Sequence, residues 1–187
     1  NGAWRVVIDD FNKDGVDDFF IPVAVSQFID GKWDPRGPNQ VFVSTRDGLW
    51  EQSKHTGYLV DKNNTFMGFS HGVTANDIDN DGDLDLATRG RLYLNNSPIK
   101  NYLKIKVIGS KKTATNSVGT IIRIKLGDKT LTRQVTTSTG QGNGNSQILH
   151  FGLGDHNTPV LAEVSWIGQS KTTVELKPNT MNVVTSP

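Results

Sequence analysis

The nine-residue run Asp10-Phe11-Asn12-Lys13-Asp14-Gly15-Val16-Asp17-Asp18 recurs without a gap as Asp77-Ile78-Asp79-Asn80-Asp81-Gly82-Asp83-Leu84-Asp85, 67 residues further on. Few features constrain a chain more. Short oxygen-bearing side chains occupy positions 1, 3 and 5: Asp10, Asn12 and Asp14 in the first copy, Asp77, Asp79 and Asp81 in the second. Position 6 is glycine in both, where a sharp turn asks for a residue without a Cβ. Calcium takes six to eight oxygen ligands in a flexible shell, and alternate carboxylates of a tight loop can all turn inward to supply them. Position 7, Val16 or Asp83, offers its backbone carbonyl, and position 9, Asp18 or Asp85, closes the loop.

An EF-hand requires a bidentate glutamate at position 12, and that position holds Ile21 in one copy and Thr88 in the other. Phe19-Phe20-Ile21 and Leu86-Ala87 follow the closing aspartates directly, so each loop is expected to join two strands. A solvated acidic turn is the plainer alternative, since Asp, Asn and Gly are ordinary turn formers. Two gap-free copies with the same glycine and the same closing aspartate favour a shared ligand. Without a cation, Asp77, Asp79, Asp81 and Asp85 would crowd four like charges into one turn.

The rest of the chain reads as β-structure. Runs rich in β-branched and aromatic residues lie between Gly, Asn and Asp clusters, and no segment sustains helical apolar spacing. The expected strands are 3–9, 19–25, 40–44, 71–76, 84–88 and 91–95, then 102–108, 119–126, 130–137, 147–151, 160–166, 171–176 and 181–185. In the second set Lys104, Lys106, Arg123 and Lys125 alternate with Leu103, Ile105, Val107, Ile122, Ile124 and Leu126, the period of a strand with one wet and one buried face. That half is expected to form a small antiparallel sandwich or barrel. The seam falls at Asn96-Ser97-Pro98, where charge changes sign: residues 1–99 sum to −6 and residues 100–187 to +7. The expected domains are therefore 1–99 and 100–187.

With a net charge of +1 there is no whole-chain field for nucleic acid, and the absence of cysteine removes disulfides, thiolate sites and a cysteine nucleophile. The longest apolar run, Phe19 to Val25, is too short for a membrane helix. Asn1-Gly2 leads straight into strand-like residues without a signal peptide, so the chain is expected to be a piece of a longer or processed polypeptide.

Both aspartate runs match the D-x-[DN]-x-D-G-x-x-D loop, and with Met67-Gly68-Phe69-Ser70-His71-Gly72-Val73 and Arg91-Leu92-Tyr93-Leu94-Asn95-Asn96 the first half resembles the FG-GAP/VCBS repeats of integrin-like β-propellers. Asn101 to Gly109, Val118-Gly119-Thr120, His150-Phe151-Gly152-Leu153-Gly154 and Glu163-Val164-Ser165-Trp166 resemble the ASPIC/UnbV module that follows such propellers in cartilage acidic protein-like proteins. The resemblance implies an all-β chain, with one or two blades of a partial propeller followed by a small β domain. It further implies a secreted or cell-surface location and an adhesive, structural or ligand-binding role without catalysis. A closed propeller of this kind needs about seven blades, so other blades or protein partners are expected to complete it. Self-assembly through open blade edges is the alternative. Another alternative is the non-catalytic part of a calcium-dependent polysaccharide-active enzyme.

Other signals are weaker. Lys104, Lys106, Lys111, Lys112, Arg123, Lys125, Lys129 and Arg133 offer a basic face for an acidic polysaccharide or for the acidic first domain, or a merely solvated one. Trp4, Trp33, Trp50 and Trp166 can stack on sugars but are more often core. His150 is expected to be structural, and Gly140, Gly142 and Gly144 belong to a surface loop. Asn63-Asn64-Thr65 and Asn95-Asn96-Ser97 are glycosylation sequons.

Overall fold

The computed structural model describes residues 6–22, 26–29, 32–35, 40–44, 50–52, 72–88, 91–98, 100–111, 115–138 and 144–187. Among these residues every regular element is a β-strand, as the period-2 patterning predicts. The chain divides into two compact units. The first takes Asn1–Asn12, Val16–Pro98 and Ser138–Asn145; the second takes Lys13–Gly15, Ile99–Thr137 and Ser146–Pro187.

In the first unit, strands β1 (Val7–Asp9) and β2 (Asp18–Ile21) form an antiparallel hairpin around the first aspartate run, with Asp9 opposite Asp18. A second hairpin, β3 (Ser26–Ile29) with β4 (Lys32–Pro35), precedes β5 (Gln40–Ser44) and β6 (Trp50–Gln52). The main sheet runs in the order β1-β2-β5-β6. Strands β7 (Val73–Asn76), β8 (Asp85–Thr88) and β9 (Arg91–Tyr93) make an antiparallel sheet around the second run, with Asn76 opposite Asp85. Each run thus links two antiparallel strands, and the closing aspartate is the first residue of the strand that follows. Alternate residues of these strands, Val7, Phe20, Val41, Val73, Ala75 and Leu86, point into one core together with Phe11 and Leu84. Each large side chain so buried contributes roughly 1.5–3 kcal/mol, which anchors both loops at their ends. Strands β3, β4 and β6 were not anticipated, because Pro35 and the clustered turn residues around them break the alternation on which the reading rested. The expected starts at residue 3 and residue 71 and the expected end at residue 25 lie outside the described residues.

Among the described residues the second unit has two sheets. Strands β10 (Asn101–Ile108), β13 (Leu149–Gly154) and β16 (Met181–Thr185) stand in the order β13-β10-β16. Strands β11 (Ile121–Leu126), β12 (Lys129–Gln134), β14 (Val160–Ser165) and β15 (Thr172–Leu176) stand in the order β12-β11-β14-β15. The strand order closes no barrel, and the unit is not wholly antiparallel: β16 runs parallel to β10, with Ile105 opposite Asn182 and Val107 opposite Val184. Alternation carries no information about the direction of a partner strand, so the sequence could not reveal this. The core is built from Leu103, Ile105, Ile122, Ile124, Phe151, Ala162, Val164 and their neighbours.

Residues Arg123 and Lys125 alternate with buried Ile122 and Ile124 as predicted, but Lys104, 6% exposed, is buried on the face expected to be wet. Because β10 and β11 belong to different sheets, Lys104 and Lys106 share no face with Arg123 and Lys125. Arg133 lies over the Phe151 ring, 5.7 Å from its centre, and its Nε donates to His150 O. Of the eight cations, Lys112 lies outside the described residues. Trp166 is a core residue whose Nε1 donates to Thr172 Oγ1, which withdraws it from any sugar-stacking role. His150 is buried beneath a stacked Tyr102 ring at 5.9 Å.

Candidate metal centre

The two aspartate runs fold alike. Backbone φ is positive at position 6 in both, +80° at Gly15 and +96° at Gly82, where the repeat places glycine. It is also positive at position 4, at Lys13 (58°) and Asn80 (65°), which the repeat pattern did not disclose. Asparagine tolerates this left-handed region and lysine less so. The shared geometry is thus imposed by the loop as a whole and not by residue preference at that position.

Internal hydrogen bonds set the shape of the second loop. Gly82 N donates to Asp77 Oδ2 at 3.1 Å, Asp81 N to Asp79 Oδ1 at 3.3 Å and Asp83 N to Asp81 Oδ1 at 2.9 Å. Each of these carboxylates accepts from a backbone amide two to five residues on, as Asp side chains do in turns. Carboxylate oxygens from Asp77, Asp79 and Asp85 lie within 4.8 Å of one another. Asp77 and Asp85 are buried and Asp79 is exposed, so the cluster has a closed base and an open mouth. Asp77 Oδ1 is buried and accepts no hydrogen bond, although its Oδ2 does. A hard cation needs such an oxygen, with negative charge and no proton donor in the way. Asp81 stands outside the trio, with Oδ1 taken by Asp83 N; the Asp83 side chain is buried and accepts from Ser97 Oγ at 3.1 Å.

The closing aspartate has a structural role that the sequence does not disclose. Asp85 is fully buried, with Oδ2 accepting from Ile78 N and Oδ1 from Asn95 N, both at 2.8 Å. Asp18 repeats the pattern: Oδ2 accepts from Phe11 N at 3.0 Å and Oδ1 from Ser44 N at 2.8 Å. In both copies one oxygen holds position 2 of the loop and the other holds the chain at or just beyond the third strand of the sheet. The partners lie 26 and 10 residues away from their aspartates, so only the folded chain discloses them.

Burial raises the pKa of Asp85 above its ordinary value of 3.8. The amides of Asn95 and Ile78 oppose the shift, while the charges of Asp79 and Asp81 add to it. A folded carboxyl with a raised pKa contributes stability that is full below its ordinary 3.8 and is lost as pH rises through the folded value, so ionisation of Asp85 works against the metal-free loop. A cation held beside Asp85 would offset that penalty.

In the first loop the residues equivalent to the trio are Asp10, Asn12 and Asp18. Position 3 is an amide, so three acidic groups are not available at these positions, and no trio from this loop is found among the described residues. Asp10 and Asp18 are buried, whereas Asn12, Asp14 and Val16 are half-buried. Asp14 and Gly15, with Lys13, fall in the second unit, where Gly154 N donates to Lys13 O at 2.8 Å. The first loop carries four aspartates and a lysine against five aspartates in the second, a weaker charge for a cation.

Residues 109–186 match the family model described as ASPIC and UnbV. No curated protein matches the chain.

Proposed function

We propose that the chain is a calcium-stabilised extracellular module with a structural, adhesive or ligand-binding role, residues 1–99 contributing FG-GAP/VCBS-type blades whose loops the metal stiffens. The observation that carries this reading is the convergence of the Asp77, Asp79 and Asp85 oxygens at the end of a strand pair, around a buried base. Calcium would supply the positive charge that lets three carboxylates stand together. The protein's own part is to hold Asp77 and Asp85 in place through Gly82, Ile78 and Asn95. The second loop, with its greater negative charge, is the tighter site, and the first binds through Asp10, Asn12, Asp14, Val16 O and Asp18.

Calorimetric titration with calcium after EGTA treatment tests the proposal, with melting temperature followed in parallel. Two bound ions per chain are expected, together with a stabilisation of about 2.7 kcal/mol per site at one hundred times Kd. Asp79→Ala, at an exposed position, removes one ion without disturbing the core. No heat of binding and an unchanged melt would remove the reading.

A further inference from the structure

We infer that Asn95 is a positioning residue that couples the two aspartate loops, so that calcium in either raises the affinity of the other; this rests on the calcium reading above. Asn95 is 1% exposed. Its Nδ2 donates to Phe11 O of the first loop at 2.9 Å and to Leu84 O of the second at 3.3 Å, while its backbone N donates to Asp85 Oδ1. Its Oδ1 accepts from Ser97 N at 3.0 Å, and Ser97 Oγ contacts both Phe11 O at 3.4 Å and Asp83 Oδ2 at 3.1 Å.

A continuous hydrogen-bonded path results. Asp18 Oδ2 holds Phe11 N, Phe11 O holds the Asn95 amide, and Asn95 N holds Asp85 Oδ1. The closing aspartates of both loops are its two ends. Phe11 itself is buried, so its peptide cannot turn to water when the first loop relaxes. Both loops must be closed for the Asn95 amide to satisfy its two carbonyls and for its N–H to keep Asp85. If one loop opens, a buried donor or acceptor of the other loses its partner, and this unfavourable state is what ties the two equilibria together. The coupling is reciprocal by linkage, whichever loop fills first.

The assay is calcium titration of the full chain with the other loop emptied. Asp14→Ala empties the first loop and Asp79→Ala the second. Each is expected to weaken calcium binding at the remaining loop by the same factor, on the order of fivefold or more. In an Asn95→Ala background both changes should leave the remaining loop's Kd unaltered. Ser97→Ala removes only the lesser link; it keeps the fold if Asn95→Ala does not, and is expected to reduce the factor by part. Two ions binding with Kd values indifferent to the state of the other loop overturn the coupling and leave the calcium reading standing. Coupling that persists undiminished in both the Asn95 and Ser97 variants overturns the role of this segment. A chain that takes up no calcium overturns coupling and site together.

Discussion

Replacing Asp85 with alanine tests the closing aspartate's structural bonds and the calcium ligation proposed for it separately. Alanine withdraws the acceptor from Asn95 N, in a residue 1% exposed, and an amide so buried without a partner costs about 1–3 kcal/mol. It also withdraws the acceptor from Ile78 N, but Ile78 is 41% exposed and water replaces most of that bond, leaving a net loss of about 0.5–1.5 kcal/mol. Against these stands relief: a buried carboxylate that Asp79 and Asp81 disfavour is gone. The balance in EGTA is a destabilisation of roughly 1–4 kcal/mol. Asp85→Asn keeps the shape and one carbonyl acceptor and removes the charge, so in EGTA it lies closer to the wild type than Asp85→Ala does. Adding calcium reverses that kinship, because both variants then forgo the second loop's gain of about 2.7 kcal/mol at one hundred times Kd. Urea unfolding of the wild type and both variants, with and without calcium, measures these differences, with amide exchange at Asn95 locating the change. An Asp85→Ala chain within about 0.5 kcal/mol of the wild type in EGTA, or one that gains as much from calcium as the wild type, would refute the reasoning.

Two further predictions concern sites away from the metal. Glu163 titrates below its ordinary value of 4.5, chiefly because Lys171 Nζ bonds its Oε1 at 2.9 Å and secondarily because Lys171 and Arg123 are positively charged. A lowered carboxyl pKa gives stability that is present above 4.5 and is lost as pH falls through the folded value, so Lys171→Met should move the Glu163 titration upward, as NMR of the carboxyl carbon will register. No movement would mean the pair is not formed in solution. In the first unit Asn145 Oδ1 accepts from Ala75 N at 3.1 Å, and Gly144 O accepts from Thr74 Oγ1 at 2.8 Å, so this end of the glycine-rich loop caps the outer edge of β7. Asn145→Ala should speed exchange of the Ala75 amide by roughly two- to tenfold, matching a bond of about 0.5–1.5 kcal/mol; unchanged protection would dismiss the cap.

The same hydrogen bonds decide a question the sequence left open. Asn95-Asn96-Ser97 reads as a glycosylation sequon, yet the Asn95 amide nitrogen is buried and donates to two carbonyls, so the folded chain offers no acceptor there. Residues 63–65, the other sequon, lie outside the described residues, as do Trp4 and residues 139–143 of the glycine-rich loop.

What the sequence by itself determined is what depends on neighbours along the chain. Gly15 and Gly82 mark the turns, and period-2 patterning marks β10 to β16 within a few residues. Only the tertiary structure decided that Asp18 and Asp85 hold distant amides, that Asn95 reaches both loops, that β16 lies parallel to β10, and that Lys104 is buried. Each of these needs a partner brought in from elsewhere in the chain. Backbone preference and side-chain period act over a few bonds, whereas a buried donor must find whichever acceptor the packed core places beside it.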